Sequence, residues 1–242
     1  MRRTDIQRNS RPASHELFGS LEEKALLEAR NGLLQFDEVL RLVDQSASGL
    51  RLRPSIVQRL QRLAIRDIYT CAGNYRTGPV NIQGTTHEPP PASEVAEHVE
   101  EMCEYINVNR ERSPLHLAAY AMWRLNWIHP FAGGNGRTSR AVSYFVLCAR
   151  LGYRIPGTRT IPEQIVANRQ PYYEALDSAD AAWSEGRLDI SLMEKLIEDM
   201  LAVQLSSVLE AASSEGTPPI RKPPEADTPA APGCGTSSPR PT

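Results

Sequence analysis

The sequence predicts a mainly α-helical bundle with one short β element and a flexible tail. Apolar residues recur at helical spacing along most of residues 17–212. Glycines and prolines break that period over residues 72–91, and residues 213–242 consist largely of Pro, Gly, Ser, Thr and Ala. A chain of 242 residues suits one domain with a buried core and appendages.

These patterns divide the chain into four parts. Residues 1–16 are polar and are expected to form a flexible arm. Residues 17–70 form an N-terminal helical segment that packs on the core, and residues 71–212 form the core itself. Residues 213–242 are expected to be a disordered Pro-rich tail, because they carry too few apolar side chains to fold.

Two amphipathic helices are predicted in the N-terminal segment. The first runs from Leu17 to about Val43, with Asn31-Gly32 as the point where it could be interrupted. The second runs from Pro54 to about Thr70, with the proline in the first turn, where its missing N–H costs no hydrogen bond. Both helices place leucine, isoleucine and valine on one face, as expected for packing on a core.

Residues 72–91 are predicted to form a short strand or hairpin between helices. Val80 and Ile82 alternate with Asn81 and Gln83, which is the period of a strand with one buried face. Long irregular segments of this kind in a compact domain are often functional.

Helical spacing resumes after this break. Ser113 followed by proline predicts a helix start, and Gly152 predicts a helix end. The helix that ends at Gly152 is apolar nearly all round, so it is expected to be the central buried helix. The predicted helices are Ser93 to Asn107, Pro114 to Ile128, Asn135 to Gly152, Pro162 to Ala182 and Ile190 to Ala212.

Composition excludes several classes of function. The formal net charge is −2 and the arginines are dispersed, so binding to nucleic acid or to an anionic membrane is not expected. No apolar run resembles a signal peptide or a membrane span. The four cysteines are widely spaced and are expected to be free thiols in a reducing compartment. A cytoplasmic location follows as the expectation, with a secreted effector left open.

The segment His129–Arg140 has the composition of a phosphate site. Its glycines allow a tight turn and a close approach of the backbone to a ligand. A helix begins within the segment, so its first amide groups favour an anion. Arg137 and Arg140 lie three residues apart on one helix face and can reach the same anion. His129 stands at the edge of this cradle.

The same segment, HPFAGGNGRTSR, resembles the signature of the Fic (Fido) family, HPFx(D/E)GNGRxxR. Residues 74–90 are similar to the family's β-hairpin flap and the proline-rich stretch after it. Residues 168–176 resemble its later nucleotide-pocket helix. The resemblance covers roughly residues 30–200 and implies a Fic-type helical bundle that transfers AMP from ATP to a Ser, Thr or Tyr hydroxyl of a target protein, releasing pyrophosphate.

The resemblance also implies a role for individual residues. His129 would be the general base, and Phe131 would be an apolar anchor for the loop. Tyr172 and Tyr173 would lie near the adenine. Val80, Asn81 and Ile82 would form the flap that docks the target backbone as an added strand. The implied ATP and phosphate contacts are Gly133, Gly134, Asn135, Gly136, Arg137, Thr138, Ser139 and Arg140.

Three departures from the family pattern bear on activity. Gly133 stands where the family has an Asp or Glu that binds Mg²⁺, so Mg²⁺ would be held by the phosphates, Asn135 and water, or by a carboxylate from elsewhere. Asp180 stands where the tyrosine-pair helix often carries an Asn toward the adenine. The inhibitory pattern (S/T)xxxE(G/N) has only imperfect copies, at residues 206–211 and 93–98, so inhibition would come from a separate partner or be absent.

Two alternatives to AMP transfer remain open from the sequence. One is transfer of another nucleotide or of a phosphocholine-type group from the same site. The other is a catalytically weak nucleotide-binding or interaction module. Among the other histidines, His116 is expected to be structural, and His87 is equally compatible with a place in the target groove or with packing.

Overall fold

The computed structural model describes residues 16–46 and 49–215. Within these ranges the chain folds into helices joined by short loops, which confirms the mainly α-helical class. The helices are α1 (Leu21–Gln45), α2 (Pro54–Ile65), α3 (Val95–Val108), α4 (Pro114–Ile128), α5 (Asn135–Leu151), α6 (Ile161–Ala167), α7 (Gln170–Ser184) and α8 (Ser191–Glu215), with a 3₁₀ turn at Ala92–Glu94. Apart from their edge residues, the predicted arm (1–16) and tail (213–242) lie outside the described residues.

Helix α5 is the centre of the bundle, as its composition predicted. It packs most extensively on α4 and also contacts α1, α2 and α6. Phe145, Val142 and Val146 are fully or almost fully buried. The ends of α4 and α5 follow the predicted signals, since the Ser113 hydroxyl accepts the His116 N–H at 3.0 Å and Gly152 takes a left-handed φ of 84°. The loop between α4 and α5 therefore emerges from the best-packed part of the molecule.

The N-terminal helices differ from prediction at two points. Helix α1 is not interrupted at Asn31, because this buried side chain donates from Nδ2 to the Arg66 carbonyl at 2.6 Å. Helix α2 ends at Ile65 rather than near Thr70. The chain turns there through Asp67, which has a φ of 61° and is held by Arg30 at 2.6 Å. Both contacts fasten α1 to the end of α2.

Residues 72–91 do not form the predicted strand or hairpin. The segment is irregular, with turns at residues 72–73 and 83–84, and forms no β ladder with any described residue. Proline at position 79 and at 89–91 removes N–H donors, and no neighbouring strand is available to pair. The segment is held instead by Arg76, whose guanidinium donates to carbonyls at residues 78, 90, 128 and 129. The predicted alternation of buried and exposed side chains is found in part, since Ile82 is buried and Asn81 is exposed.

Two smaller corrections concern the C-terminal half. The single helical pattern over 162–182 is two helices, because Asn168 adopts an extended conformation between α6 and α7. Helix α8 continues to Glu215, three residues beyond its predicted end. Cys103 and Cys148 are buried free thiols. No helix in the described ranges is both long and apolar enough to cross a membrane.

Candidate active site

His129 is the residue that ends α4, and its backbone is unusual. It lies in the left-handed region at φ 48° and ψ 58°, which is uncommon for a residue other than glycine. Its N–H donates to the Leu125 carbonyl at 3.0 Å, so it caps the helix. Its own carbonyl accepts from Arg76 Nε at 2.9 Å. The histidine is therefore fixed from both the helix and the 72–91 segment, and only 6% of it is exposed.

The environment of His129 keeps its imidazole neutral. Burial lowers the pKa of His129 to about 3, mainly because the charged form loses hydration. A hydrogen bond with the Asn126 backbone opposes this shift, while the charges of Arg76 and His87 add to it. At neutral pH the ring can therefore accept a proton, as a general base must.

A stability measurement can test this pKa shift. The unfolded His129 has a pKa near 6.5, so between pH 6.5 and 3 the unfolded chain binds a proton that the folded chain does not. The free energy of unfolding should therefore be fully present above pH 6.5 and fall as the pH decreases toward 3. Urea unfolding at pH 7, 6 and 5 should show a smaller fall in His129→Asn than in the wild type. Identical falls in the two proteins would contradict the buried neutral histidine.

The loop after His129 is closed by the side chain of Asn135. Its Oδ1 accepts from the Phe131 N–H at 2.9 Å, and its Nδ2 donates to the Phe131 carbonyl at 2.7 Å. Phe131 itself is fully buried, with its ring centroid 5.5 Å from that of Tyr75. Phe131 thus lies where an anchor was expected. Asn135 shapes the loop with both of its polar atoms, which the sequence alone did not indicate.

Helix α2 forms the floor of the loop. Gln61 is fully buried, donates from Nε2 to the Gly133 carbonyl at 3.0 Å and accepts from the Gly73 N–H at 2.6 Å. Gly134 has a φ of 77°, and a Cβ there would lie 2.7 Å from Ile65 Cγ2. Glycine is needed at this position both for its backbone and for the close approach of α2.

The two motif arginines differ in their partners. Arg137 donates to the Ala64 carbonyl at 2.9 Å and lies 3.5 Å from Glu28 of α1. Arg140 forms no hydrogen bond or ion pair with another described residue, although Tyr172 and Tyr173 are near enough to affect its pKa. Burial lowers the pKa of both guanidiniums, yet arginine remains charged at neutral pH. Arg140 is thus a cation available to an anionic ligand.

These residues line a cavity of about 400 Å³, within the size range of small-molecule sites. Tyr172 is buried, and its hydroxyl accepts from Asn126 Nδ2 at 2.8 Å. The Tyr172 and Tyr173 rings lie 5.6 Å apart. The residues lining the cavity are Glu28, Ile82, Thr85, His87, Asn126, His129, Gly134, Asn135, Gly136, Arg137, Arg140, Val166, Arg169, Tyr172, Tyr173, Leu176 and Asp180.

Some predicted contact residues are not in this lining. Gly133 is turned against Gln61. The Thr138 hydroxyl donates to the Gly134 carbonyl at 2.9 Å, and the Ser139 hydroxyl donates to the Gly136 carbonyl at 3.2 Å. Both hydroxyls are used within the first turn of α5. Of the predicted flap, Ile82 lines the cavity, whereas Val80 and Asn81 do not.

Several cavity residues were not expected from the sequence. Glu28 lies in the first third of α1, where a lone glutamate is indistinguishable from an ordinary surface residue. Arg76 holds the His129 carbonyl from 53 residues away, and nothing local marks it. The placement of His87 was left undecided; its Nε2 donates to the Trp127 carbonyl at 2.8 Å, and it faces the cavity.

The side chains do not form a preformed metal site. Among the described residues no group of three or more His, Cys, Asp or Glu side chains could hold a metal ion. The two carboxylates of the cavity are each engaged: Glu28 faces Arg137, and Asp180 accepts from Trp123 Nε1 at 2.8 Å. Any Mg²⁺ in this cavity would therefore need oxygens of the nucleotide phosphates among its ligands.

A family model and curated relatives that resemble this chain point to the same family. Residues 51–147 match the model of the Fic/DOC family. The protein adenylyltransferase Fic of Drosophila persimilis is 30% identical over 208 residues, which are 79% of this chain and 38% of the relative. The corresponding protein of Nematostella vectensis is 27% identical over 174 residues, which are 65% of this chain and 36% of the relative. The chain thus spans less than two fifths of the length of either relative.

Solved structures show the same fold. Fic-1 (residues 134–508) from C. elegans superposes with a TM-score of 0.60 at 20% identity, covering 83% of this chain and 60% of that one. A Fic family protein from Desulfovibrio desulfuricans G20 gives a TM-score of 0.54 at 23% identity, covering 84% of this chain and 57% of that one.

Proposed function

Because the chain belongs to the Fic/DOC family, we propose that it transfers AMP from ATP to a hydroxyl side chain of a target protein. The observation that carries the proposal is the neutral His129, held at the same cavity as Arg137 and Arg140. A base, a pair of cations and an aromatic pair in one cavity match a nucleotide and an acceptor hydroxyl.

Phosphate binding would use the first turn of α5. Gly134 and Asn135 open this helix at the cavity wall, where the unpaired amide groups favour an anion. Arg140, which pairs with no other described residue, would neutralise the distal phosphates, and Arg137 would do so once it leaves Glu28. Tyr172 and Tyr173 would form the cavity wall beside the nucleotide base.

The reaction follows from the position of His129. Its imidazole would take the proton of the target hydroxyl as the oxygen attacks the α-phosphorus of ATP. A bond forms between that oxygen and the phosphorus, the bond to the bridging oxygen breaks, and pyrophosphate leaves. The chain contributes mainly by orienting the groups and stabilising the developing charge.

Target docking would use the backbone of residues 80–82. No backbone hydrogen bond pairs this stretch with another described segment. An extended peptide could add to it as a strand, bringing its hydroxyl toward the cavity that Ile82 lines.

The test is label transfer to proteins in a lysate. Purified protein is incubated with the lysate and ATP labelled either at the α- or at the γ-phosphate. AMP transfer predicts labelled protein bands with the α-label and none with the γ-label. Transfer from the γ-label would instead indicate a kinase, and tight ATP binding without any transfer would indicate a binding module.

The role of Gly133 gives a separate prediction. Gly133 is buried and is not among the glycines with a positive φ, so its backbone conformation does not by itself exclude a side chain. Gly133→Asp would add a carboxylate beside the phosphate site, and Mg²⁺ commonly uses one or two carboxylates with substrate phosphates. We expect a several-fold stronger Mg²⁺-dependent ATP binding and transfer than in the wild type. Gly133→Asn is the matched control, because it has nearly the same volume and no charge.

This result can contradict the account of Gly133 in two ways. Equal gains in Gly133→Asp and Gly133→Asn would show that charge is not the limiting property. No gain in Gly133→Asp, with an unchanged circular dichroism spectrum and unfolding midpoint, would show that metal affinity does not limit the protein.

A further inference from the structure

A second cavity shares the two motif arginines with the candidate active site. It has a volume of about 540 Å³ and lies between α1 and α6, which both pack on α5. Arg137, Arg140 and Val166 line both cavities. We call the second cavity the α1/α6 groove, and its apolar lining is formed mainly by Leu33, Phe36, Val39, Ala141, Tyr144 and Pro162.

Most polar groups of the α1/α6 groove are already hydrogen-bonded within the protein. The Gln35 amide donates to a backbone carbonyl of α2 at 2.9 Å, and the Tyr144 hydroxyl accepts from Gln204 Nε2 at 2.9 Å. The Thr160 hydroxyl and the Glu163 carboxylate are bonded to each other at 2.9 Å. The groups left to recognise a polar part of a ligand are therefore the two arginines.

Of these arginines, Arg140 is the one that is available. Arg137 donates to the Ala64 carbonyl at 2.9 Å and lies 3.5 Å from Glu28. Arg140 has no hydrogen bond or ion pair with another described residue. The α1/α6 groove thus combines an apolar surface with a guanidinium that can pair with an anion without breaking an existing contact.

The space in the groove depends on Gly32. Glycine inside a helix is less favourable than alanine, so its presence in the middle of α1 needs a reason. Gly32 is not among the glycines with a positive φ, and a Cβ added there would meet no atom within 4 Å. Neither the backbone nor a close contact therefore requires glycine. Its missing side chain instead leaves part of the groove open.

The groove has an entrance and the length for a chain-like ligand. Leu33 and Val166, which line it, are 70% and 48% exposed, so the groove opens to solvent. Its α1 wall extends from Ala29 to Val39, which is about 15 Å at the rise of an α-helix. An extended chain of about ten carbons has a similar length, from standard bond lengths. Such a chain would cover apolar side chains that otherwise face water.

We propose that the α1/α6 groove binds an amphiphilic anion, with an alkyl chain along α1 and an anionic head at Arg140. Burial of the chain supplies affinity in proportion to the apolar area removed from water, and the head pairs with the guanidinium. A cationic head would be repelled by both arginines. Because the proposed nucleotide site uses Arg140 as well, the amphiphile and ATP should exclude each other. This exclusion alone rests on the function proposed above.

Three matched amphiphiles test the proposal by isothermal titration calorimetry, below their micelle-forming concentrations. Decanoate is the expected ligand, decylammonium has the same chain with a cationic head, and octanoate has the same head with a shorter chain. Decylammonium should bind at least about tenfold more weakly, as when a hydrogen bond to a charged group is lost. Octanoate should bind roughly tenfold more weakly, since each buried CH₂ changes Kd about fourfold.

Variants of Gly32 and Arg140 test the location. Gly32→Leu fills the groove and should weaken decanoate binding at least about tenfold, whereas Gly32→Ala adds one carbon and should change Kd less than about threefold. Both substitutions favour the helix, so unfolding would not explain a loss of binding. Arg140→Gln should weaken decanoate binding about tenfold, and Arg150→Gln, outside the groove lining, should leave it unchanged.

Three results would overturn the proposal. They are no binding of decanoate to the wild type, equal binding of decanoate and decylammonium, and undiminished binding of decanoate to Gly32→Leu. If the wild type binds no decanoate but forms a dimer that Gly32→Leu dissociates in sedimentation velocity, the groove is an interface between two copies of the chain instead.

A competition experiment separates this proposal from the function proposed above. Saturating ATP should raise the apparent Kd of decanoate. Binding of decanoate without any binding of ATP would overturn the nucleotide function and support the groove. Binding of both ligands with no effect of ATP on the Kd of decanoate would overturn their shared use of Arg140.

Discussion

Replacement of His129 by asparagine is expected to reduce AMP transfer by about 10²–10⁴-fold, the usual contribution of a general base. The physical reason is that no other described group of the cavity is both an acceptor and fixed at the start of the glycine-rich loop. Asparagine is chosen because it tolerates the left-handed backbone that His129 adopts at φ 48°. The measurement is the initial rate of α-label incorporation at saturating ATP.

Two controls keep this result interpretable. ATP affinity should change little, since His129 acts on the acceptor hydroxyl rather than on the phosphates. His98→Ala removes a histidine of α3 that is absent from the cavity lining, and it should retain full activity. Transfer by His129→Asn at more than a tenth of the wild-type rate would contradict the assignment of the base.

Arg140→Gln is expected to weaken ATP binding by about 10–100-fold, because a hydrogen bond to a charged group contributes roughly 1.5–3 kcal/mol. Arg140 lines the cavity, is largely enclosed and has no anionic partner among the described residues. Its charge is therefore available to the triphosphate without breaking an existing pair. Calorimetric titration with ATP measures the effect, and AMP should lose less affinity than ATP if the contact is with the distal phosphates.

The matched control for Arg140 lies on the same helix. Arg150→Gln changes the same charge near the end of α5, outside the cavity. It should leave ATP affinity unchanged. A similar loss in both variants would indicate a general effect of net charge, and no loss in Arg140→Gln would remove Arg140 from the phosphate site.

Replacement of Glu28 is expected to strengthen ATP binding, which is the opposite of the effect expected for Arg140→Gln. Its carboxylate lies 3.5 Å from Arg137 and faces the same cavity, so it competes with phosphate for that cation and repels it. Because the pair is partly exposed, Glu28→Gln should strengthen ATP binding only about two- to fivefold. No local pattern marked this carboxylate, and inhibition was expected either to come from a separate partner or to be absent. The contact of Glu28 with Arg137 adds a third source of inhibition, within this chain, that the variant tests.

Local sequence signals were enough for much of the framework. Ser113 and Gly152 defined helix ends because capping uses side chains and backbone conformations within a few residues. The apolar composition of α5 correctly predicted its central position. The 72–91 segment was predicted less well, because alternation alone cannot supply the neighbouring strand that a β ladder requires.

Some cavity residues are neighbours along the chain and could be predicted, whereas others are distant along the chain and could not. Residues 129–140 are contiguous, so the presence of a histidine, glycines and two arginines at one loop was determined by the sequence itself. The contacts of Gln61, Arg76 and Glu28 with this loop cross 72, 53 and 109 residues. No periodicity or spacing connects such positions, since they meet only when α1, α2 and the 72–91 segment pack around α5.

The sequence thus determined where the chemistry of this protein is concentrated, while the tertiary structure decided the state of each group. Burial lowers the pKa of His129 to about 3, so its imidazole is neutral. The packing of α1 places Glu28 against Arg137 and leaves Arg140 without an anionic partner among the described residues. The physical reason is that charge state and pairing depend on hydration and on neighbours in space, which the order of residues along the chain does not specify.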